Sequence, residues 1–87
     1  MKKYRYDGAP TFSDEVVEHA LIRSGYRCEY CGTHVSKGMW DPHHGIPNTK
    51  INRGLHGEAL QSEKNCYILC ARDHDNHANE FNRFRED

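Results

Sequence analysis

The spacing of apolar positions changes several times along the chain, and each change marks an element. Between residues 13 and 24, Val16, Val17, Ala20 and Leu21 recur at the interval of one helical face. Ser13 stands where it can cap that helix, Asp14 and Glu15 suit its positive end, and Gly25 stops it. Ahead of it, residues 1–12 alternate Tyr4 and Tyr6 and then meet Gly8 and Pro10, which predicts an extended arm or short strand ended by a turn. A compact turn over residues 27–32 leads into a stretch through Val35, Met39 and Trp40, a strand or hairpin running on to Asp41-Pro42-His43-His44. Residues 45–64 hold Gly45, Pro47, Gly54 and Gly57 with no sustained period and are expected to be a long loop. Residues 65–69 form the best strand candidate. Residues 71–84 read as a helix carrying His77, Phe81 and Phe84 near one face.

No repeat, low-complexity tract or linker divides these elements, and 87 residues suffice for one domain. A core of that size leaves little margin of stability, so a covalent or metal staple is expected. With 36% hydrophobic and 29% charged residues and a mean hydropathy of −1.00, the chain is short of core material. Nine aromatic residues, four cysteines and seven histidines argue against disorder, because these groups pack or bind metal. The opening residues lack an apolar run of signal-peptide length and no later run approaches a membrane span, which makes a cytoplasmic location the expectation. In that reducing compartment the cysteines point to metal rather than disulfides. A net charge of −1 and a pI near 6.6 do not mark a strong non-specific nucleic-acid binder, although a bound divalent ion adds positive charge that the count omits.

Cys28 and Cys31 form a C-x2-C knuckle followed by Gly32, a spacing that brings two thiolates to one tetrahedral ion. The second half is less regular. Cys66 and Cys70 are separated by three residues, and Asp73 follows Cys70 at the knuckle interval. Two zinc sets are therefore open: Cys28, Cys31 and Cys70 with Asp73, or the same three with Cys66. The first is favoured, because Cys66 lies in the apolar strand where a free buried cysteine is common. His43 and His44 are adjacent, so on an extended segment their side chains point to opposite sides and do different work. On a helix His74 and His77 share a face, while Asp73 is turned from His74 by about 100°. One helix can thus offer Asp73 to the knuckle and His74 to a separate ion.

Taken in order, Cys28 and Cys31, His43-His44, Asn65, and Cys70-Ala71-Arg72-Asp73-His74 resemble the pattern of the HNH endonucleases, over roughly residues 23–78. The resemblance implies an α+β chain with the small ββα-metal fold, an N-terminal helix over residues 13–25 and a structural zinc knuckle within a core spanning 26–84. It also implies His44 as general base, His43 and His74 as ligands of one catalytic divalent cation, and Asn65 as the residue that orients the base through a hydrogen bond to the ring or backbone near it. This chain departs from the pattern at Asp73, which stands where the family has a fourth zinc cysteine, and at Ala78, where a further ligand is common. His77 is the nearest substitute.

The expected activity is metal-dependent hydrolysis of phosphodiester bonds in DNA. Neutral imidazole is suited to take a proton from water near neutral pH. The catalytic cation is Mg2+, Mn2+, Ni2+ or Zn2+, beside a structural Zn2+. Lys50, Arg53, His56 and Arg72 are candidate nucleic-acid contacts, and Trp40 and Phe81 are expected in the core. No membrane association is expected. A protein partner in a larger nuclease or phage assembly is a further expectation of the resemblance. The rival readings are a zinc-binding module that binds DNA or protein without turnover, and a pure interaction protein.

Overall fold

A computed structural model describes residues 11–85; the Tyr4 and Tyr6 alternation lies outside them. The first helix, α1 (Asp14–Ser24), begins where Ser13 accepts the Val16 amide at 3.1 Å through its hydroxyl. It ends at Gly25 in a left-handed conformation (φ 70°), whose N–H returns to the carbonyls of Ile22 and Leu21. Its apolar face carries buried Ala20, flanked by Val16, Val17 and Leu21.

Among the described residues the sheet consists of two antiparallel strands, β1 (Trp40–His44) and β2 (Cys66–Cys70), in register from Trp40 opposite Cys70 to His44 opposite Cys66. Residues of β2 alternate between two packing clusters, as the period of two requires. Cys66 and Ile68 face α1 and join Phe12 and Ala20; Tyr67 and Leu69 face the other way and join Cys28 and Phe81. The sheet thus separates a helical layer from a layer formed by the knuckle and the C-terminal helix α3 (Ala71–His77). The fold is α+β: a two-stranded antiparallel sheet with helices and a cysteine-aspartate cluster.

Three elements differ from the sequence expectation. Val35–Lys37 forms a 3-10 turn rather than a strand, capped by the His34 ring nitrogen Nδ1 on the Ser36 amide. The segment 45–64 is not a structureless loop. It contains α2 (Lys50–His56) and 3-10 turns at Gly57–Gln61 and Glu63–Asn65. Thr49 caps α2 by accepting the Asn52 amide at 3.1 Å. The helix escapes a hydrophobic-period reading because its apolar residues Ile51 and Leu55 remain about three-quarters exposed, at 75% and 72%, rather than facing a core.

The C-terminal helix is also shorter than residues 71–84. It stops at His77, and a 3-10 turn follows over Ala78–Phe81. The chain then doubles back along β2, where the Arg83 carbonyl accepts the Tyr67 hydroxyl at 2.6 Å and the Arg85 amide donates to Lys64 at 2.8 Å. A straight helix to residue 84 would advance about 10 Å beyond His77 and forgo those bonds.

Candidate functional site

Two groups of side chains stand on the knuckle side of the sheet. In the first, the ligand atoms of Cys28, Cys31, Cys70 and Asp73 all lie within 4.8 Å of one another. Asp73 Oδ2 is 3.2 Å from Cys28 Sγ and 3.3 Å from Cys70 Sγ, and the Cys31 and Cys70 sulfurs are 3.9 Å apart. Sulfur ligands around tetrahedral zinc are separated by about 3.8 Å, given Zn–S bonds of about 2.3 Å, so this spacing fits one such ion. The local backbone explains the convergence. Residues 28–32 close a tight turn in which the Gly32 amide bonds the Cys28 carbonyl and Gly32 takes φ 82°. The Tyr30 amide donates to Cys28 Sγ at 3.4 Å, a contact that fixes this side chain within the turn. Cys70 ends β2 and Asp73 lies in the first turn of α3, which carries the second pair to the knuckle.

Asp73 is buried, with 1% of its surface accessible. Hydrogen bonding from the Cys31 thiol, opposed by burial and assisted by Cys28, Cys70 and the Arg72 guanidinium, holds its carboxyl at about 2. Three cysteine sulfurs and a buried carboxylate are a donor set that suits a structural zinc, and they lie close enough to hold one ion. Cys66 does not belong to this group. The alternation of β2 places it on the α1 side, fully buried against Phe12, Ala20 and Ile68, and burial pushes its thiol up to about 12. The alternative ligand set with Cys66 is therefore corrected: Asp73 is the fourth member.

The second group is built from β1 and α3. His43 opposes Tyr67 in the sheet, and its ring meets that of His74 edge-on with centroids 5.1 Å apart. His43 Nε2 is buried and has no hydrogen-bond partner among the described residues. Burial, followed by the nearby His74 and His44, pushes this imidazole down to about 4 against the opposing pull of the Ala78 backbone. His74 Nδ1 lies 3.4 Å from Asp41 Oδ2. Asp41 is two residues before His43 and so shares its face of the strand. A carboxylate beside one ring nitrogen fixes the orientation of the imidazole. The structure thus brings the His43 and His74 rings together.

His44 points to the opposite side of β1, where its ring stacks on Phe12 at 3.9 Å and its Nε2 lies 2.7 Å from Gln61 Oε1. Asn65 is fully buried and contacts the backbone just after His44 rather than the ring. Its amide donates to the Ile46 and Leu60 carbonyls at 3.0 Å and its Oδ1 accepts the Ile46 amide at 2.7 Å, while its own carbonyl takes the Gly45 amide. His77 is held by other neighbours. Its ring stacks on Tyr30 at 4.1 Å and its Nδ1 bonds Glu80 Oε2 at 3.0 Å.

Comparison with protein-family models, with curated proteins and with solved structures finds no match to this chain. Of the candidate nucleic-acid contacts, Lys50 is exposed on α2, Arg53 bonds the Asn48 carbonyl and side chain at 3.1 and 3.2 Å, and His56 meets the Phe84 ring edge-on. Arg72 is 70% exposed beside Asp73. Sequence reasoning missed Phe12, Asp41 and Gln61. Only Asp41 had a signal, its two-residue spacing from His43 on a strand; the contacts of Phe12 and Gln61 with His44 are made through space.

Proposed function

We propose that this chain is a metal-dependent endonuclease of the HNH type, hydrolysing phosphodiester bonds in DNA with His44 as general base. The observation that carries the proposal is the buried, unpartnered Nε2 of His43 in front of the His74 ring. A desolvated nitrogen without a partner is costly unless something occupies it, and two imidazoles with ring centroids 5.1 Å apart suit a divalent cation. The ββα succession of β1, β2 and α3, joined to the cysteine-aspartate cluster, supports the same reading.

His43 and His74 would hold the ion, with Asp41 orienting His74. Such an ion supplies charge neutralisation at the scissile phosphate and the departing oxygen. His44 removes a proton from water and delivers the nucleophile, a role suited to neutral imidazole. Asn65 fixes the backbone from which His44 projects, through its three bonds to residues 46 and 60. The knuckle cluster, on the far end of β2 and the start of α3, is the structural zinc staple. Lys50 and Arg72 are exposed points for phosphate contact, and DNA is the partner.

The reading of a zinc module without turnover draws on one feature: His77, the substitute for the ligand missing at Ala78, is engaged with Tyr30 and Glu80. Incubation of the purified chain with supercoiled plasmid and single-stranded DNA in Mg2+, Mn2+ or Ni2+, beside His44→Ala and a chelator control, separates the two. The nuclease reading expects metal-dependent nicking that His44→Ala lacks, together with about one tightly held zinc per chain. Zinc without nicking under any cation establishes the module instead.

A further inference from the structure

The residues that flank the knuckle turn enclose a cleft of about 660 Å3, lined among the described residues by Arg27, Thr33, His34, Ser36 and Lys37. No carboxylate lines it. In a chain whose formal charge is −1, two cations with no acid between them are a local excess of positive charge. Among the described residues Arg27 and Lys37 enter no ion pair, whereas Arg23, Arg72 and Arg85 each meet a carboxylate at 3.5 Å or less. A second cleft, lined by Arg23, Glu63, Lys64 and Arg85, contains its own acid. The frame of the first cleft is fixed by backbone bonds. Arg27 and His34 form an antiparallel bridge, the Cys28 amide donates to the Thr33 carbonyl at 2.8 Å, and the Val35 amide donates to the Tyr26 carbonyl at 2.9 Å. Arg27 Nη1 donates to the Gly32 carbonyl at 3.0 Å, which aligns the guanidinium. His34 Nδ1 accepts the Ser36 amide at 3.2 Å, and the Lys37 amide closes on the His34 carbonyl at 2.9 Å. A ligand thus meets a frame that is already ordered.

We infer that this cleft is a docking site for the sugar-phosphate backbone of DNA, with Arg27 and Lys37 as the phosphate contacts and the Thr33 and Ser36 hydroxyls beside them. The choice of DNA rests on the proposed function, but the contact itself requires no turnover. A guanidinium offers a planar fork of five donors that matches two phosphate oxygens, and among the described residues the Gly32 carbonyl engages only Nη1. The Lys37 ammonium adds a point charge on a flexible stem. Serine and threonine hydroxyls are regular phosphate partners. No tyrosine, phenylalanine or tryptophan lines the cleft to stack a base, so the contact positions the duplex and carries no sequence preference. Arg27 and Lys37 lie apart in the sequence, and the hairpin around the knuckle brings them to one cleft.

The test is fluorescence anisotropy of the zinc-loaded full chain on two short duplexes of unrelated sequence, over a range of KCl and with no added divalent cation. Each phosphate contact contributes about one unit to the slope of log K against log salt. Arg27→Gln and Lys37→Gln should each flatten that slope by about 1, and the double variant by about 2, with affinity at low salt lowered about tenfold on both duplexes alike. Lys64→Gln removes the same charge beside Glu63 and should leave the slope within about 0.3 of the wild type. Lys37→Gln disturbs no side-chain hydrogen bond among the described residues, so it decides the matter even where Arg27→Gln loosens the knuckle and loses zinc. An unchanged slope in Lys37→Gln overturns the inference, and so does an equal loss in Lys64→Gln, which would mean bulk charge alone. A wild type that binds neither duplex overturns both this inference and the choice of DNA as partner. Arg27 and Lys37 side-chain resonances that move with inorganic phosphate, while duplex affinity is indifferent to both substitutions, would make the cleft a small-anion site and overturn the DNA assignment. Flattened slopes without nicking under any cation count against the nuclease reading and leave the docking site standing.

Discussion

Gly45, immediately after His44, is the position where the smallest change meets the hardest obstacle. A methyl group there would lie 2.6 Å from the Phe81 carbonyl oxygen and from Tyr67 Cε1, and against the Arg83 carbonyl. Two of these obstacles are backbone, held by the Tyr67 hydroxyl on Arg83, so they cannot swing aside as a side chain would. Gly45→Ala is expected to destabilise the chain by about 3 kcal/mol, measured as a lower denaturant midpoint at unchanged slope. A loss below about 0.5 kcal/mol would mean that the tail does not pack against the His44 turn. The sequence marks Gly45 as one glycine of a loop, and nothing local distinguishes it from Gly54, around which no atom lies within 4 Å of an added Cβ. Its constraint comes from residues 36 and 38 positions away along the chain.

At the scale of elements, Glu29 joins the knuckle to everything around it. Its carboxylate meets Arg23 of α1 at 2.6 Å and Arg85 of the tail at 2.6 Å, and accepts the Ile68 amide of β2 at 2.9 Å. Arg23 continues to Glu63 at 3.0 Å. The Glu29 side chain is only 11% exposed, so removing it leaves two guanidinium groups and a strand amide with poor access to water. Glu29→Ala should cost about 3 kcal/mol, and because both arginines sit beside it, Arg23→Ala combined with Glu29→Ala should cost less than the two single losses added together. Additive losses in that double-mutant cycle would show that the ion pair carries no coupling. The helix α1 and the strand β2 were legible in sequence because one face of each is buried at a regular period. The helix α2 was not, since Ile51 and Leu55 point to solvent and its cap, Thr49, has no apolar stripe to introduce.

For the molecule as a whole, the partly buried His43 couples the site to stability. Its folded value of about 4 lies below the ordinary 6.5, so between these values the unfolded chain binds a proton that the native chain refuses. The stabilising contribution is complete above pH 6.5 and is lost progressively as the pH falls toward 4. Unfolding free energies measured across that window should fall with decreasing pH in the wild type, and fall less steeply in His43→Gln, which has no imidazole to charge. Equal slopes in the two proteins would place the acid sensitivity elsewhere. A cation on His43 opposes the same protonation, so loading with Ni2+ or Mn2+ should widen the difference rather than reverse it.

The sequence by itself determined what is local or periodic: the capped helix α1, the buried strand β2, the knuckle of Cys28 and Cys31 with Cys70 and Asp73 at matching intervals, and the opposite facing of His43 and His44. Those follow from residue spacing, because backbone geometry converts spacing into direction within a few residues. The tertiary structure decided which distant groups share a space. It sent Cys66 to the α1 side of the sheet, turned His77 toward Tyr30, ended α3 at His77 so that the tail could cross β2, and set Phe12 and Gln61 on His44. Such contacts depend on where the packed sheet and helices carry each side chain, a result of burial summed over the whole chain that no short window contains.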